Sequence, residues 1–219
     1  MTKAEREARQ KERAYELRRI ERELGAQGFR FIAGVDEVGR GPLAGPVVAA
    51  ACVLPADFEG LGIDDSKKLS EKKRELLAEQ IREAALCYGI GEASNHVIDQ
   101  INILQATKIA MRRAIEKANE MLQSRCGEEI DYVLFDAMEI REVELPQRSI
   151  IKGDATSISI AAASILAKVY RDHLMIEMED VYPGYGFAQH KGYGTAAHYQ
   201  ALRAQGLTPI HRKSFLKNL

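Results

Sequence analysis

FIAGVDEVGRGPLAGPVVAAACVL, residues 31–54, is the stretch that decides the fold. Two short apolar runs, FIAGVD at 31–36 and VVAAACVL at 47–54, bracket a Gly- and Pro-rich segment, which is the pattern of two neighbouring strands. The first run closes on a pair of acids, Asp36 and Glu37, and the turn that follows carries Gly39, Arg40 and Gly41. Successive strand residues point to opposite faces, so on a straight strand Asp36 and Glu37 cannot share one site. A sharp turn at Gly39 and Gly41 is expected to bring them together.

Outward from this pair, CYGIGEA at 87–93 reads as a third strand, and YVLFD at 132–136 and SIIK at 149–152 as two more. Between them lie helical patterns. Ser70 is an N-cap with Glu71 in the first turn and Leu76, Leu77, Ile81 and Ala84 inward. A second helix is marked by Ile101, Leu104, Met111, Ile115, Ala118 and Leu122, and a third runs from Ser157 to Met178 with the small-residue face Ala161, Ala162, Ala163 and Ser164. Residues 3–24 read as one charged amphipathic helix carrying Ala14, Leu17, Ile20 and Leu24, stopped by Gly25 and Gly28. The fold class is α/β, a mixed sheet flanked by helices, with an N-terminal helix over 1–28, a main domain over 29–181 and a small helical C-terminal extension over 182–219.

Composition narrows the function. With 219 residues, 46% of them hydrophobic, the chain buries a proper core. Acids and bases nearly cancel, 32 against 31, but no Asp or Glu follows Asp180. That end holds Lys191, Arg203, Arg212, Lys213 and Lys217, with His190, His198 and His211, and is expected to face phosphate. Cys52, Cys87 and Cys126 are far apart and form no CxxC pair, so they read as buried thiols rather than a disulfide framework or a zinc site. No apolar run spans a bilayer and no signal-type segment opens the chain, which points to a cytosolic protein, and the lack of an obvious oligomerisation stripe beyond the first helix points to a monomer. GRGPLAG lacks GxGxxG spacing and no GxxxxGK occurs, so nucleotide cofactors are unsupported.

The acids carry the chemistry. Asp36 and Glu37 end one strand, Asp136 ends another, and Asp154 precedes a helix. Strand ends of an open sheet converge on the rim where such folds place their sites. Gathering four carboxylates is opposed by roughly 1 kcal/mol per pair at 4 Å in water, and by more in a cleft. Hard oxygen ligands select Mg²⁺ or Mn²⁺. Two such ions about 4 Å apart activate water on one side of a phosphodiester and stabilise the leaving oxygen on the other, so hydrolysis of a nucleic acid strand follows. Each acid alone has a local reading, as surface charge, turn former or helix N-terminal acid.

VDEVGRGPLAGPVVAA at 35–50, DDSKKLS at 64–70, VLFDA at 133–137, IIKGDATSISIAAASILAKVYRD at 150–172, YPGYGFAQHKGYGT at 182–195 and PIHRKSF at 209–215 together resemble the ordered signature of the ribonuclease HII family, over nearly everything from Ile32 to Phe215. The resemblance implies a ribonuclease H-like fold in which Asp36, Glu37, Asp136 and Asp154 bind two Mg²⁺ or Mn²⁺ ions. It also implies that Gly39, Arg40 and Gly41 read a 2′-hydroxyl and that Tyr193 stacks at the RNA–DNA junction. Lys67 and the basic tail would hold phosphates, with Arg203 and Lys217 read as solvated. The implied substrates are RNA/DNA hybrids and duplex DNA with single ribonucleotides, cut on the 5′ side to leave 3′-hydroxyl and 5′-phosphate ends. Ala137 departs from the family, where a glycine is frequent, and Asp172 reads as a surface or ion-pairing acid. Two other readings use the same acids: a resolvase or transposase acting on DNA, and a silent hybrid-binding module.

Overall fold

The computed structural model describes residues 2–58, 62–63 and 69–217. Five strands form one sheet in the order β3-β2-β1-β4-β5. They are β1 (Ile32–Val38), β2 (Val47–Val53), β3 (Cys87–Ala93), β4 (Tyr132–Asp136) and β5 (Gln147–Ile150). The hairpin makes β1 antiparallel to β2, and β2 to β3, while β1 runs parallel to β4 and β4 to β5.

Alternation sorts the strand side chains into two cores. Ala33, Val35, Ala49, Ala51, Val133 and Phe135 meet Ala106, Ala110, Met111 and Ala114 of α4 (Asn95–Cys126). On the opposite face Val48, Ala50 and Cys52 meet Leu77 and Ile81 of α3 (Glu71–Ala84) and the small-residue face of α5 (Ile158–Val181). Glycine lets the helices lie directly on the sheet. A β-carbon on Gly34 would stand 2.1 Å from the Ser159 carbonyl carbon of α5, and one on Gly91 would stand 2.0 Å from the Ala110 oxygen of α4.

Four elements differ from the sequence expectation. The N-terminal helix is two helices, α1 (Lys3–Leu17) and α2 (Arg19–Gly25), because Arg18 leaves helical geometry at ψ 1° and sends its guanidinium to the Pro55 and Ala56 carbonyls. The break frees α2 to lay Ile20 and Leu24 on Ile32, Leu134 and Ile160 while Leu17 stays with the α3/α5 core. Within α4, Asn102 takes φ 71° and its side chain accepts the Gln105 amide, restarting the helix and leaving Leu104 exposed. Leu76, expected inward, is also exposed, and β5 ends before Ile151, which is 81% exposed. Of the cysteines, Cys52 and Cys87 are buried and Cys126 is exposed.

The C-terminal residues add α6 (Phe187–His190) and α7 (Ala196–Gln205). Their core joins Tyr185, Phe187, Ala201 and Leu202 to Leu43 and Ala44 of the β1–β2 connection and to Met175 of α5. Gly34→Ala is expected to destabilise the protein by about 1–3 kcal/mol, since the added methyl meets helix backbone that has nowhere to move. The shift in urea midpoint at unchanged slope measures it.

Candidate active site

Asp36 lies on the α5 side of the sheet, on the same parity as Gly34, and is buried. Leu134 shares that side with Ile160, so Asp136, two residues on, follows it. The parallel register pairs Val35 with Phe135, which sets Asp36 beside Asp136 one step further along. Strand pairing alone therefore brings two carboxylates together.

Glu37 arrives differently from the expectation. β1 runs on in register with β2 through Glu37↔Ala49 and Val38↔Val48, so no turn swings Glu37 onto the face of Asp36. Instead β4 stops at Asp136, and beyond its end the two sides of β1 are no longer separated by a neighbouring strand. There the charges of Asp136 and Glu37 are felt by one another, and Arg40 holds Glu37 at 3.1 Å.

Burial pushes the Asp36 carboxyl up to about 8, with the repulsion of Glu37 and Asp136 adding to it and a hydrogen bond from Ser164 working against it. Burial likewise raises Glu37, opposed by Arg40. Asp136 accepts the Gly153 amide at 2.8 Å, and Asp154 follows, buried, in a 3-10 turn over Gly153–Ala155. The turn is entered through Lys152 at φ 57° and left into α5. Glu21 of α2 accepts from the Ser157 hydroxyl at 2.6 Å and the Ser159 amide at 3.0 Å, and Arg13 of α1 donates to the Ala155 carbonyl at 2.8 Å. The N-terminal helices thus brace the segment that carries Asp154. Ala137 sits at φ 49°, a left-handed conformation that disfavours a side chain, which accounts physically for a preference for glycine there.

Among the described residues no three His, Cys, Asp or Glu side chains are already placed to hold one metal ion. The donors nevertheless suit a hard divalent cation: all are carboxylate oxygens, and Asp36 and Glu37 are each raised in part by the charge of Asp136. Asp36, Glu37 and Asp136 each rest on a local donor, Ser164, Arg40 and the Gly153 amide respectively, so convergence of these three on an ion requires side-chain rotation.

Beside the acids, Gly39 is buried at φ 87°, and a β-carbon there would stand 2.2 Å from the Arg171 Nε. Arg40 and Gly41 are exposed, and the Tyr193 ring edge lies 3.7 Å from where a β-carbon on Gly41 would stand. The turn and Tyr193 are therefore neighbours. Lys67 lies outside the described residues.

The basic tail is largely not a phosphate surface. Arg212 is fully buried, and His198 and His211 are buried too. His198 Nδ1 sits 2.9 Å from the Tyr193 carbonyl, so it carries the proton; its Nε2 then accepts from His211 Nε2 at 3.0 Å, and His211 Nδ1 accepts the Thr208 amide at 2.8 Å. Burial lowers both, His211 to about 4, with His190 also disfavouring charge on His198 and His198 on His211. Arg203, Lys213 and Lys217 are exposed, whereas Asp172 is buried against Lys168 at 2.6 Å and Arg74 at 3.9 Å, so it is an ion-pairing acid and not a surface one. Sequence reading missed Ser164, Arg171 and the inward role of Arg212. Only the absence of acids near the tail hinted that its cations must find carbonyl partners.

The family profile described as Ribonuclease HII matches residues 33–218. The chain is similar to a ribonuclease HII of Desulfitobacterium hafniense, 56% identical over 204 residues that cover 93% of this chain and 75% of that protein. It is 58% identical over 199 residues to the ribonuclease HII of Lachnoclostridium phytofermentans, with 91% and 75% covered. Among solved structures it resembles that of the PCNA:RNase HII complex from Archaeoglobus fulgidus, with a TM-score of 0.67, 25% identity, and 86% of this chain and 95% of that one covered.

Two pH dependences follow. A carboxyl raised on folding holds its proton in the native state only, so stability from Asp36 falls as pH climbs from the ordinary carboxyl range through about 8. In EDTA, Asp36→Asn is expected to be more stable than the parent at pH 8–9, with the gap closing toward pH 4, as urea titrations at each pH would show. A histidine depressed on folding acts oppositely: stability from His211 is complete above the ordinary 6.5 and is lost as pH falls toward about 4. His211→Asn is expected to flatten that acid limb of the stability curve.

Proposed function

This chain belongs to the ribonuclease HII family, a family of nucleases, and on that premise we propose that it cuts the RNA strand of RNA/DNA hybrids and the 5′ side of single ribonucleotides embedded in duplex DNA. The observation that carries this reading is the meeting of Asp36, Glu37 and Asp136 at the ends of two parallel strands, beside a glycine turn that faces Tyr193. Such a juxtaposition couples hydrolysis at a phosphodiester to inspection of the adjoining sugar.

Asp36, Glu37, Asp136 and Asp154 would hold two Mg²⁺ or Mn²⁺ ions. When bound, these ions supply charge neutralisation, water activation and stabilisation of the leaving 3′-oxygen, so that the products carry 3′-hydroxyl and 5′-phosphate ends. The chain does the rest. Ser164 and the Gly153 amide orient the Asp36 and Asp136 carboxylates from behind. The backbone of Gly39, Arg40 and Gly41 meets the ribose, where a 2′-hydroxyl separates RNA from DNA. Tyr193, 43% exposed, offers its ring face to the sugar or base at the junction. Arg40, exposed beside Glu37, would reach a phosphate on the exchange of that ion pair. Lys67 and the exposed Lys213 supply further phosphate contacts, which makes affinity fall with salt. Among the described residues no helix is long and apolar enough to cross a membrane, and a monomer acting in the cytosol suits this role.

A duplex with one ribonucleotide and the matching all-DNA duplex, incubated with Mg²⁺ or Mn²⁺, test the proposal. Cutting confined to the first, one bond 5′ of the ribonucleotide, is the expected outcome. Equal cutting of both identifies a DNA nuclease instead, and binding with no cutting identifies a binding module. Asp136→Asn is expected to reduce the rate on the order of 10³-fold or more while duplex binding persists.

A further inference from the structure

Two arginines far apart in sequence converge on one turn. Arg212, in the C-terminal segment, donates through Nε to the Gly45 carbonyl at 2.9 Å, through Nη1 to Arg40 at 2.9 Å and through Nη2 to Gly39 at 2.6 Å. Arg171, on α5, donates through Nε to Pro46 at 3.0 Å, through Nη2 to Ala44 at 3.1 Å and through Nη1 to Lys191 at 2.9 Å. Both side chains are fully buried, and neither forms a salt bridge among the described residues. Guanidinium groups without a salt-bridged carboxylate, each making three hydrogen bonds to main-chain oxygens, are an uncommon use of a buried cation, since burial of charge is ordinarily offset by an opposite charge.

The consequence lies in the peptide plane. A trans peptide points its N–H opposite to its C=O, and the chain has no cis bonds. Drawing the carbonyls of Gly39 and Arg40 down onto Arg212 therefore turns the amides of Arg40 and Gly41 away from it, toward the exposed side where Tyr193 stands. Pro42 has no amide to add, so the turn presents two adjacent donors and no more. With cations at their oxygen ends, these peptide dipoles present a strengthened positive end outward, suited to an oxygen acceptor such as a hydroxyl or phosphate oxygen. The same turn is tied to the tail by the Leu43 amide on the Gly192 carbonyl and the Arg212 amide on the Leu43 carbonyl, each 2.8 Å, while His198 holds the Tyr193 carbonyl.

We propose that Arg171 and Arg212 are positioning residues for sugar discrimination: they fix the carbonyls of the Gly39–Pro46 turn inward so that the Arg40 and Gly41 amides face the ribose. This rests on the reading of Gly39–Gly41 as the ribose-contacting turn. Lysine keeps the charge but cannot reach three carbonyls from one planar group, so it separates geometry from electrostatics.

Arg212→Lys and Arg171→Lys are tested by fluorescence anisotropy in EDTA with a duplex carrying one ribonucleotide and with its all-DNA counterpart. The parent is expected to prefer the first. Each folded variant is expected to lose about tenfold of that preference, the worth of a hydrogen bond, with all-DNA binding unchanged. Full preference in folded variants overturns the proposal. A parent without preference, or one that fails the cleavage assay, overturns the function reading instead. Should the variants not fold, amide spectra of the ¹⁵N-labelled parent decide: Arg40 and Gly41 are expected to shift with the ribonucleotide duplex and not with the all-DNA duplex, and equal response to both overturns the assignment.

Discussion

Everything at this site depends on β1 running parallel to β4. A parallel ladder puts equivalent ends of both strands on the same rim, and here the shared register leaves Asp36 and Asp136 as neighbours whose charges repel. The pairing is enforced from above by α5, whose backbone rests on Gly34 and whose Ser164 bonds Asp36, and from below by Phe135 and Val35 in the α4 core. The repulsion of the acids is thus imposed by packing that the strand ends cannot relax. On the proposed reading, divalent cations would offset that repulsion, and the packing that imposes it would become affinity for them.

Much of this was legible beforehand because strands and acids write plain signals. Alternation and flanking glycines located all five strands, and an acid closing an apolar run marked Asp36 and Asp136 as unusual. What stayed hidden depended on contacts distant in sequence. The break at Arg18 follows from carbonyls at Pro55 and Ala56, and the restart at Asn102 from a single side chain taking a left-handed conformation. Glu37 was placed near Asp136 for an incorrect reason, a swing of the turn, when the cause is that β4 ends first.

The tail shows how charge counting misleads. A segment rich in Lys, Arg and His without acids reads as a polyanion surface, yet Arg212, His198 and His211 are buried and hold main chain. Burial is permitted because each side-chain nitrogen of these residues has a hydrogen-bond partner, so the usual cost of an unsatisfied polar group does not arise. The residual cations at the surface are Arg203, Lys213 and Lys217, fewer than the sequence total suggests.

Seen this way, the C-terminal residues and the β1–β2 connection are one mechanical unit. The turn that begins at Gly39 has its carbonyls fixed by α5 and by the last segment, and Tyr193 is held by an imidazole chain ending on Thr208. The acids are fixed by a separate set of contacts, through the sheet, α5 and the Gly153 turn braced by α1 and α2. On the proposed reading, sugar contact and phosphodiester chemistry rest on different contacts that share α5, which carries both Arg171 and Ser164, and that touch again between Glu37 and Arg40. A perturbation of the tail should then alter which sugars are accepted before it alters how the acids are arranged, because no strand of the sheet depends on the tail for its register.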